Sequence, residues 1–268
     1  MFFSARRFIG FTGHDKPGQG HAWLRDVTSG SGGGGPPRPD NGQEGRTMTR
    51  CVIFDLDGTL ADTSADLVAA ANACFGLMGL DQRLDPVADA GVALRGGKRM
   101  LTVGLERAGQ YSAQAVDRWY QPLLEAYAAA LDTHTTLYPG AAEQVEALRC
   151  DGYATGICTN KPAAMAEKLL TSLGVRDLFG SLVGADTLPT RKPDVAPYWA
   201  AVDGCGGRRQ SSLLVGDSDT DRKTAKAAGV PCILVTFAPE GEAVRALHPE
   251  GLIADFGELP AEVRRLIG

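Results

Sequence analysis

The chain has 268 residues, 44% of them hydrophobic and 22% charged, with a formal net charge of -5. That length allows one large domain or two modest ones with ample core, and the acidic balance argues against a nucleic acid or an anionic membrane surface as partner. No uninterrupted apolar segment approaches the length that spans a bilayer, and 6 cysteines scattered without a C-x-x-C pair fit a reducing, cytoplasmic setting.

Residues 1–47 differ in composition from everything after them. The tract SGSGGGGPP, Ser29 to Pro37, has no periodicity and too little apolar surface to offset its ordering. This head reads as a disordered or atypical N-terminal extension. The opening residues through Phe11 hold too short an apolar stretch for a secretory signal. Met48, directly before the first strand, is an alternative start of translation.

The run Cys51-Val52-Ile53-Phe54 predicts a buried strand, and it ends abruptly at Asp55 and Asp57, followed by Gly58 and Thr59. Two carboxylates side by side at a buried strand end need a cation or a shared proton. The pair therefore points to a metal site or an acid/base pair. Helical spacing follows over residues 64–80, with Ser64 as N-cap and Gly79 at the end, and again over 97–107 and 113–131. With no strand between them, residues 63–137 read as a helical insertion placed directly after the candidate site, which suits a lid.

From Gly140 onward helices and strands alternate. Helices are predicted over 141–149, 163–173, 196–202 and 220–228, and strands over 153–158, 181–184, 212–215, 232–235 and 252–254, before a helical C-terminus. Alternation of this kind predicts a parallel sheet with helices on both faces. Residues 48–62 and 138–268 then form one core.

Three apolar runs end in polar residues: before Asp55, before Thr159-Asn160-Lys161-Pro162, and before Asp217. Open parallel sheets bind ligands at their C-terminal strand ends, so the three endings can meet in one place. Asp55, Asp57 and Asp217 would form a hard oxygen-donor cluster suited to Mg²⁺. Thr159 and Asn160 offer donors to phosphate oxygens, and Lys192 a fixed cation. The aspartates at 217, 219 and 221 do not open a calcium-binding loop, because Arg222 takes the place of its glycine and Ala228 that of its glutamate.

In these motifs the chain resembles the haloacid dehalogenase superfamily of phosphohydrolases, with DLDGTLADT from Asp55, CTNKP from Cys158, RKP around Lys192 and GDSDTD from Gly216, in that order. Within the superfamily it is most similar to bacterial phosphoglycolate phosphatases, through TNKP (159–162), GADTLPTRKPD (184–194) and GDSDTDRKTAKAAGVP (216–231). The resemblance implies an α/β fold: a Rossmann-like doubly wound parallel sheet with an inserted α-helical cap domain over 63–137. It implies Mg²⁺-dependent hydrolysis of a small phosphorylated metabolite, 2-phosphoglycolate. Asp55 is then expected to be the nucleophile, Asp57 the general acid and base, and Lys192 the catalytic cation. Mg²⁺ is expected on the Asp55 side chain, the Asp57 backbone carbonyl and Asp217, with Asp221 supporting Lys192 or a metal-bound water. In the cap, Arg95, Lys98 or Arg99 is expected to meet the substrate carboxylate. Within the fold the alternatives are a nucleotide, a sugar phosphate or pyrophosphate as substrate. The non-enzymatic alternative, a binding protein on the same fold, would typically lack one of these aspartates, and none is missing.

Overall fold

Strand β1 (Thr49–Phe54) is the middle of the architecture, and its residues show why. Cys51, Val52, Ile53 and Phe54 are all fully buried. Val52 and Phe54 join one core with Ile157, Leu213 and Val215, whereas Cys51 and Ile53 join a second with Tyr198, Leu214 and Ala225. A strand covered on both faces reads as an unbroken apolar run instead of an alternating one. The computed structural model describes residues 49–268; the readings of residues 1–47 and of Met48 as a start lie outside the described residues.

Strand β1 pairs in parallel with β4 (Ala154–Cys158) on one side and β6 (Gly207–Gly216) on the other. Outward from these lie β5 (Ser181–Val183), and then β7 (Cys232–Val235) and β8 (Gly251–Ile253), giving the parallel order β5-β4-β1-β6-β7-β8. Helices α5 (Ala141–Cys150), α6 (Ala163–Ser172) and α9 (Leu259–Ile267) bury residues in the first core, and α7 (Val195–Gly204) and α8 (Asp219–Ala228) in the second. The sheet is doubly wound, as the alternation predicts. The chain builds toward β5 first and then returns past β1 to β6. The C-terminal end of β1 is therefore the switch point, where a crevice opens between diverging connections.

Residues between β2 (Ala61–Asp62) and β3 (Thr136–Leu137) hold helices α1 (Ser64–Leu77), α2 (Ala90–Leu94), α3 (Gly97–Arg107) and α4 (Ala113–Ala129). The two short strands pair antiparallel, Ala61 with Leu137 and Asp62 with Thr136, and so join entry and exit of the helical segment. Asp66 in the first turn of α1 reinforces the join, accepting from the N–H groups of His134 and Thr135 and from the Thr135 hydroxyl.

The element bounds shift by one or two residues at many ends, and four departures have a physical reason. Thr63 is the N-cap of α1, while Ser64 lies inside the helix with its hydroxyl on the Asp62 carboxylate, and the helix stops at Leu77. Helix α2 is too short to show a period. Strands β2 and β3, two residues each, are too short to show alternation. Strand β6 begins at Gly207 instead of Ser212, because Arg208, Arg209 and Gln210 are exposed and carry no apolar signal. Among the described residues no helix is long and apolar enough to cross a membrane.

Candidate active site

The C-terminal ends of β1 and β6 deliver Asp55 and Asp217 to the switch point, with Asp57 in the turn that follows β1. Gly58 makes that turn possible: its φ is +80°, and a Cβ there would lie 2.6 Å from Asp217 Oδ2. Thr59 donates from Oγ1 to Asp217 Oδ1 at 3.1 Å, so the turn and the β6 end hold each other. Asp221 comes from the first turn of α8, where its Oδ2 accepts from Ser218 N–H and Oγ–H in a capping box. The other oxygen, Oδ1, accepts from Lys192 Nζ at 2.6 Å, and the same ammonium lies 3.0 Å from Asp55 Oδ2. Asp55 Oδ1 accepts from the N–H of Leu56 at 2.7 Å.

These groups perturb one another strongly. Burial pushes the Asp55 carboxyl up to about 6, opposed by Lys192 and aided by Asp221 and Asp57. Asp217 is raised well above the usual carboxylate range by burial, with Asp221 and Asp55 adding to it. Burial works to lower Lys192, but Asp221 and Asp55 outweigh it and hold the ammonium above its ordinary range. Lys192 is therefore a permanent cation.

Asp57 points to a different partner. Its Oδ1 accepts from Lys161 Nζ at 2.8 Å, and Lys161 also donates to the Tyr127 hydroxyl at 2.6 Å. Tyr127 belongs to α4, so the helical segment reaches the ammonium that holds Asp57. Burial, with Asp57 and Asp66 adding to it, holds the Tyr127 phenol well above its ordinary range, so it meets Lys161 as a neutral hydroxyl; the Thr63 hydroxyl is buried without a hydrogen-bond partner among the described residues. Sequence reasoning missed this group. Lys161 lay inside the TNKP stretch as the residue after Asn160, which was the available signal. Tyr127 gave none, since an aromatic at helical spacing reads as core.

Of the expected phosphate contacts, Thr159 is buried, its Oγ1 accepting from Lys161 N–H at 3.2 Å, which leaves the hydroxyl proton to donate elsewhere. Asn160 is exposed and donates from Nδ2 to the Lys192 carbonyl at 3.0 Å, tying the β4 end to the lysine loop. The cap cations stand apart from this cluster. Arg95 Nη2 lies 2.8 Å from Glu240 Oε1, and Lys98 Nζ lies 2.6 Å from Asp117 on α4. Arg95 lines a cleft of about 570 Å³ with Asp62, Ser64, Tyr138, Phe237 and Glu240, and none of Asp55, Asp57, Asp217 and Asp221 lines it. Two carboxylates beside one guanidinium make that cleft a poor anion receptor. Arg99 is exposed.

The acidic residues fit a divalent cation. One carboxylate oxygen each from Asp55, Asp217 and Asp221 lies within 4.8 Å of the others. Three carboxylates face one ammonium, and burial, with repulsion among the carboxylates adding to it, raises Asp55 and Asp217. Hard oxygen donors with few protein ligands suit Mg²⁺. The Asp57 side chain lies outside this set, so its expected part in metal binding rests on the backbone carbonyl alone.

Sheet, switch point and acidic centre define a doubly wound α/β protein with a cluster of carboxylates, suited to a divalent cation, at its strand ends. The family model for haloacid dehalogenase-like hydrolases matches residues 52–235. A phosphoglycolate phosphatase of Rhodospirillum rubrum is 37% identical over 79% of this chain and 90% of its own, and one of Cereibacter sphaeroides is 34% identical over 81% and 98%. Among solved structures, a predicted phosphoglycolate phosphatase from Haemophilus somnus superposes with a TM-score of 0.70 at 25% identity, covering 81% of this chain and 99% of that one. CbbY from Rhodobacter sphaeroides in complex with phosphate shares the fold, with a TM-score of 0.66 at 23% identity over 81% and 100%. The chain belongs to the haloacid dehalogenase-like hydrolases, the superfamily its motifs resemble.

Proposed function

We propose that this chain is a Mg²⁺-dependent phosphatase that hydrolyses 2-phosphoglycolate to glycolate and phosphate through an aspartyl-phosphate intermediate. The observation that carries this reading is the buried Asp55–Lys192 pair, 3.0 Å apart, with Asp57 two residues further along the same turn. An ammonium beside a carboxylate offsets the repulsion between an anionic nucleophile and an anionic phosphoryl group. The names of the relatives supply the substrate.

In the first step an Asp55 oxygen bonds to phosphorus, the bond from phosphorus to the alcohol oxygen breaks, and Asp57 gives its proton to the departing alkoxide. In the second, Asp57 takes a proton from the water that attacks the aspartyl phosphate, which frees Asp55 and phosphate. Lys161 engages Asp57 Oδ1, so the proton is handled at Oδ2. Thr159 and Asn160 orient the phosphoryl oxygens. Asp55, Asp217 and the Asp57 carbonyl would hold Mg²⁺, which when bound neutralises charge on those oxygens. Asp221 keeps Lys192 in place. Residues 63–137 act as the cap over a core made of 48–62 and 138–268, and Tyr127 is the cap residue that touches the catalytic cluster through Lys161. A cytoplasmic setting fits the free state of all the cysteines.

The test is phosphate release from phosphoglycolate, a nucleoside monophosphate, a sugar phosphate and pyrophosphate, with and without Mg²⁺, beside Asp55→Asn. Phosphoglycolate should rank first and require Mg²⁺, and Asp55→Asn should lose at least about 10³-fold in kcat. Equal turnover of all esters would remove the substrate assignment and leave the hydrolase class. Full turnover by Asp55→Asn would remove the mechanism.

A further inference from the structure

At the opposite end of β1 from Asp55, two thiols that the hydrolytic chemistry does not use face each other. Cys51 Sγ on β1 and Cys205 Sγ, just past the last turn of α7, lie 3.6 Å apart although 154 residues separate them in the chain. Cys51 is fully buried and Cys205 half-buried, so Cys205 is the member of the pair nearer solvent. Gly207, which opens β6, gives Cys51 its room: a Cβ there would lie 2.6 Å from the Cys51 sulfur. We propose that Cys51 and Cys205 form a redox-modification site, in which a peroxide oxidises Cys205 and Cys51 resolves it to an intramolecular disulfide.

The surroundings divide the roles between the two sulfurs. Cys205 is brought down to about 7, first by the neighbouring Cys51 thiol, against burial and against the Val202 carbonyl, to which its own S–H donates at 3.2 Å. The C-terminal end of α7 also disfavours a negative charge there, so the Cys51 thiol carries the shift. Cys51 is held protonated by its bond to Cys205 and by burial. Cys205, the less buried of the two sulfur-bearing residues, is thus the one a peroxide meets first, and it reacts as its thiolate.

The reaction balances with the peroxide as sole oxidant. The Cys205 thiolate takes one peroxide oxygen, the O–O bond breaks, and the leaving hydroxide is protonated to water. Cys205 is now a sulfenic acid and carries no charge, which removes the repulsion that a Cys205 thiolate sets against ionisation of Cys51. Cys51 then attacks the Cys205 sulfur, its proton leaves with the displaced oxygen as a second water, and the S–S bond forms. Two thiols lose two electrons and the peroxide becomes two waters. The sulfurs must close from 3.6 Å to about 2.05 Å, a movement of side-chain scale. Burial of Cys51 keeps other oxidants from it and makes Cys205 the entry point.

The test treats the reduced full-length chain with hydrogen peroxide and digests it without reductant. The expected result is a peptide pair joining Cys51 to Cys205, lighter by two hydrogens than the separate peptides, with loss of two titratable thiols per chain. In Cys51→Ala the reaction should stop at a Cys205 sulfenic acid that dimedone traps, and Cys205→Ser should yield no linked pair. Alkylation by iodoacetamide in the untreated chain should be faster at Cys205 than at the exposed Cys150 at pH 7. A chain that gives Cys205 sulfinic acid with no linked peptide, or in which Cys150 reacts while Cys205 does not, overturns the proposal. The unmodified chain alone yields either outcome, so a variant that fails to fold leaves the test intact.

Discussion

The core and the helical segment hold their cations in contrasting ways. Lys192 is buried, bound by Asp221 at 2.6 Å and Asp55 at 3.0 Å, on loops and helices anchored to the ends of β1 and β6. Arg95 and Lys98 have side chains 61% and 56% exposed, each meeting one carboxylate in water. Exposed pairs contribute about 0–1 kcal/mol. A buried pair behaves differently: removing one partner leaves an unpaired charge in low dielectric and costs about 3–5 kcal/mol. Position in the fold, more than charge, separates a residue that chemistry depends on from one that solvent can replace.

The strongest way to break that contrast is Lys192→Met beside Lys98→Met. The first leaves Asp55 and the fully buried Asp221 without their ammonium. Its kcat/KM should fall by at least about 10³-fold and its Tm by about 10 °C, whereas Lys98→Met should match the parent in both. Phosphate-release kinetics and calorimetry decide it; two equal responses would end the distinction. Next in size is Tyr127→Phe, which deletes the hydroxyl that Lys161 meets at 2.6 Å but keeps the ring. A hydrogen bond to a charged group contributes about 1.5–3 kcal/mol, so kcat/KM should drop about tenfold. An unchanged value would mean that the helical segment does not act on Asp57 through Lys161.

The sequence made one side of this contrast far more legible than the other. Val52, Ile53 and Phe54 announce a strand buried on both faces, and the abrupt Asp55-Leu56-Asp57 announces the acidic end on which the proposed chemistry rests. The strand endings at Thr159 and Asp217 follow the same grammar, since a parallel sheet gathers its C-terminal ends. What stayed hidden depends on packing between distant segments. Tyr127 sits on an apolar helical stripe, and nothing along α4 distinguishes a ring that fills space from one whose hydroxyl meets Lys161. Arg95 beside Gly96-Gly97 looks like an anion-reading turn until Glu240, 145 residues away, is seen against it. Strands β2 and β3 exist only as a pairing of two residues with two, which no periodicity can reveal.

A smaller, physical readout comes from the protonation of the acidic centre. Asp55, raised to about 6, and Asp217, also raised, bind their protons more tightly in the folded chain than in the unfolded one. Their contribution to stability is therefore full below the ordinary carboxylate range; that of Asp55 is lost as pH climbs through about 6, and that of Asp217 as pH climbs through its own raised value. Asp89, held low mainly by its hydrogen bonds from Arg107, works in the opposite sense, but only as pH falls below that range. The metal-free chain should then melt on the order of 5 °C lower at pH 7 than at pH 5. Mg²⁺ should recover that loss at pH 7 and do little at pH 5, where protons compete for the same oxygens. Calorimetry at both values checks the sign, and a Tm that rises from pH 5 to pH 7 without metal would contradict it.

The smallest effect belongs to Arg95. Its guanidinium donates from Nε and Nη2 to Glu240 Oε1 at 3.1 and 2.8 Å, and Glu240 lies in the connection after β7, so the bond bridges the helical segment and the core. Both partners keep contact with water, and the cleft they border also presents Asp62. A substrate carboxylate entering there would have to displace Glu240 and approach a second carboxylate. Arg95→Ala should therefore change kcat/KM toward phosphoglycolate by no more than about threefold, the scale of an exposed pair. The double variant Arg95→Ala/Glu240→Ala should match the single ones. A fall of tenfold or more for Arg95→Ala, restored by removing Glu240, would show that the two residues govern access to Asp55; a fall that persists would make Arg95 a substrate contact.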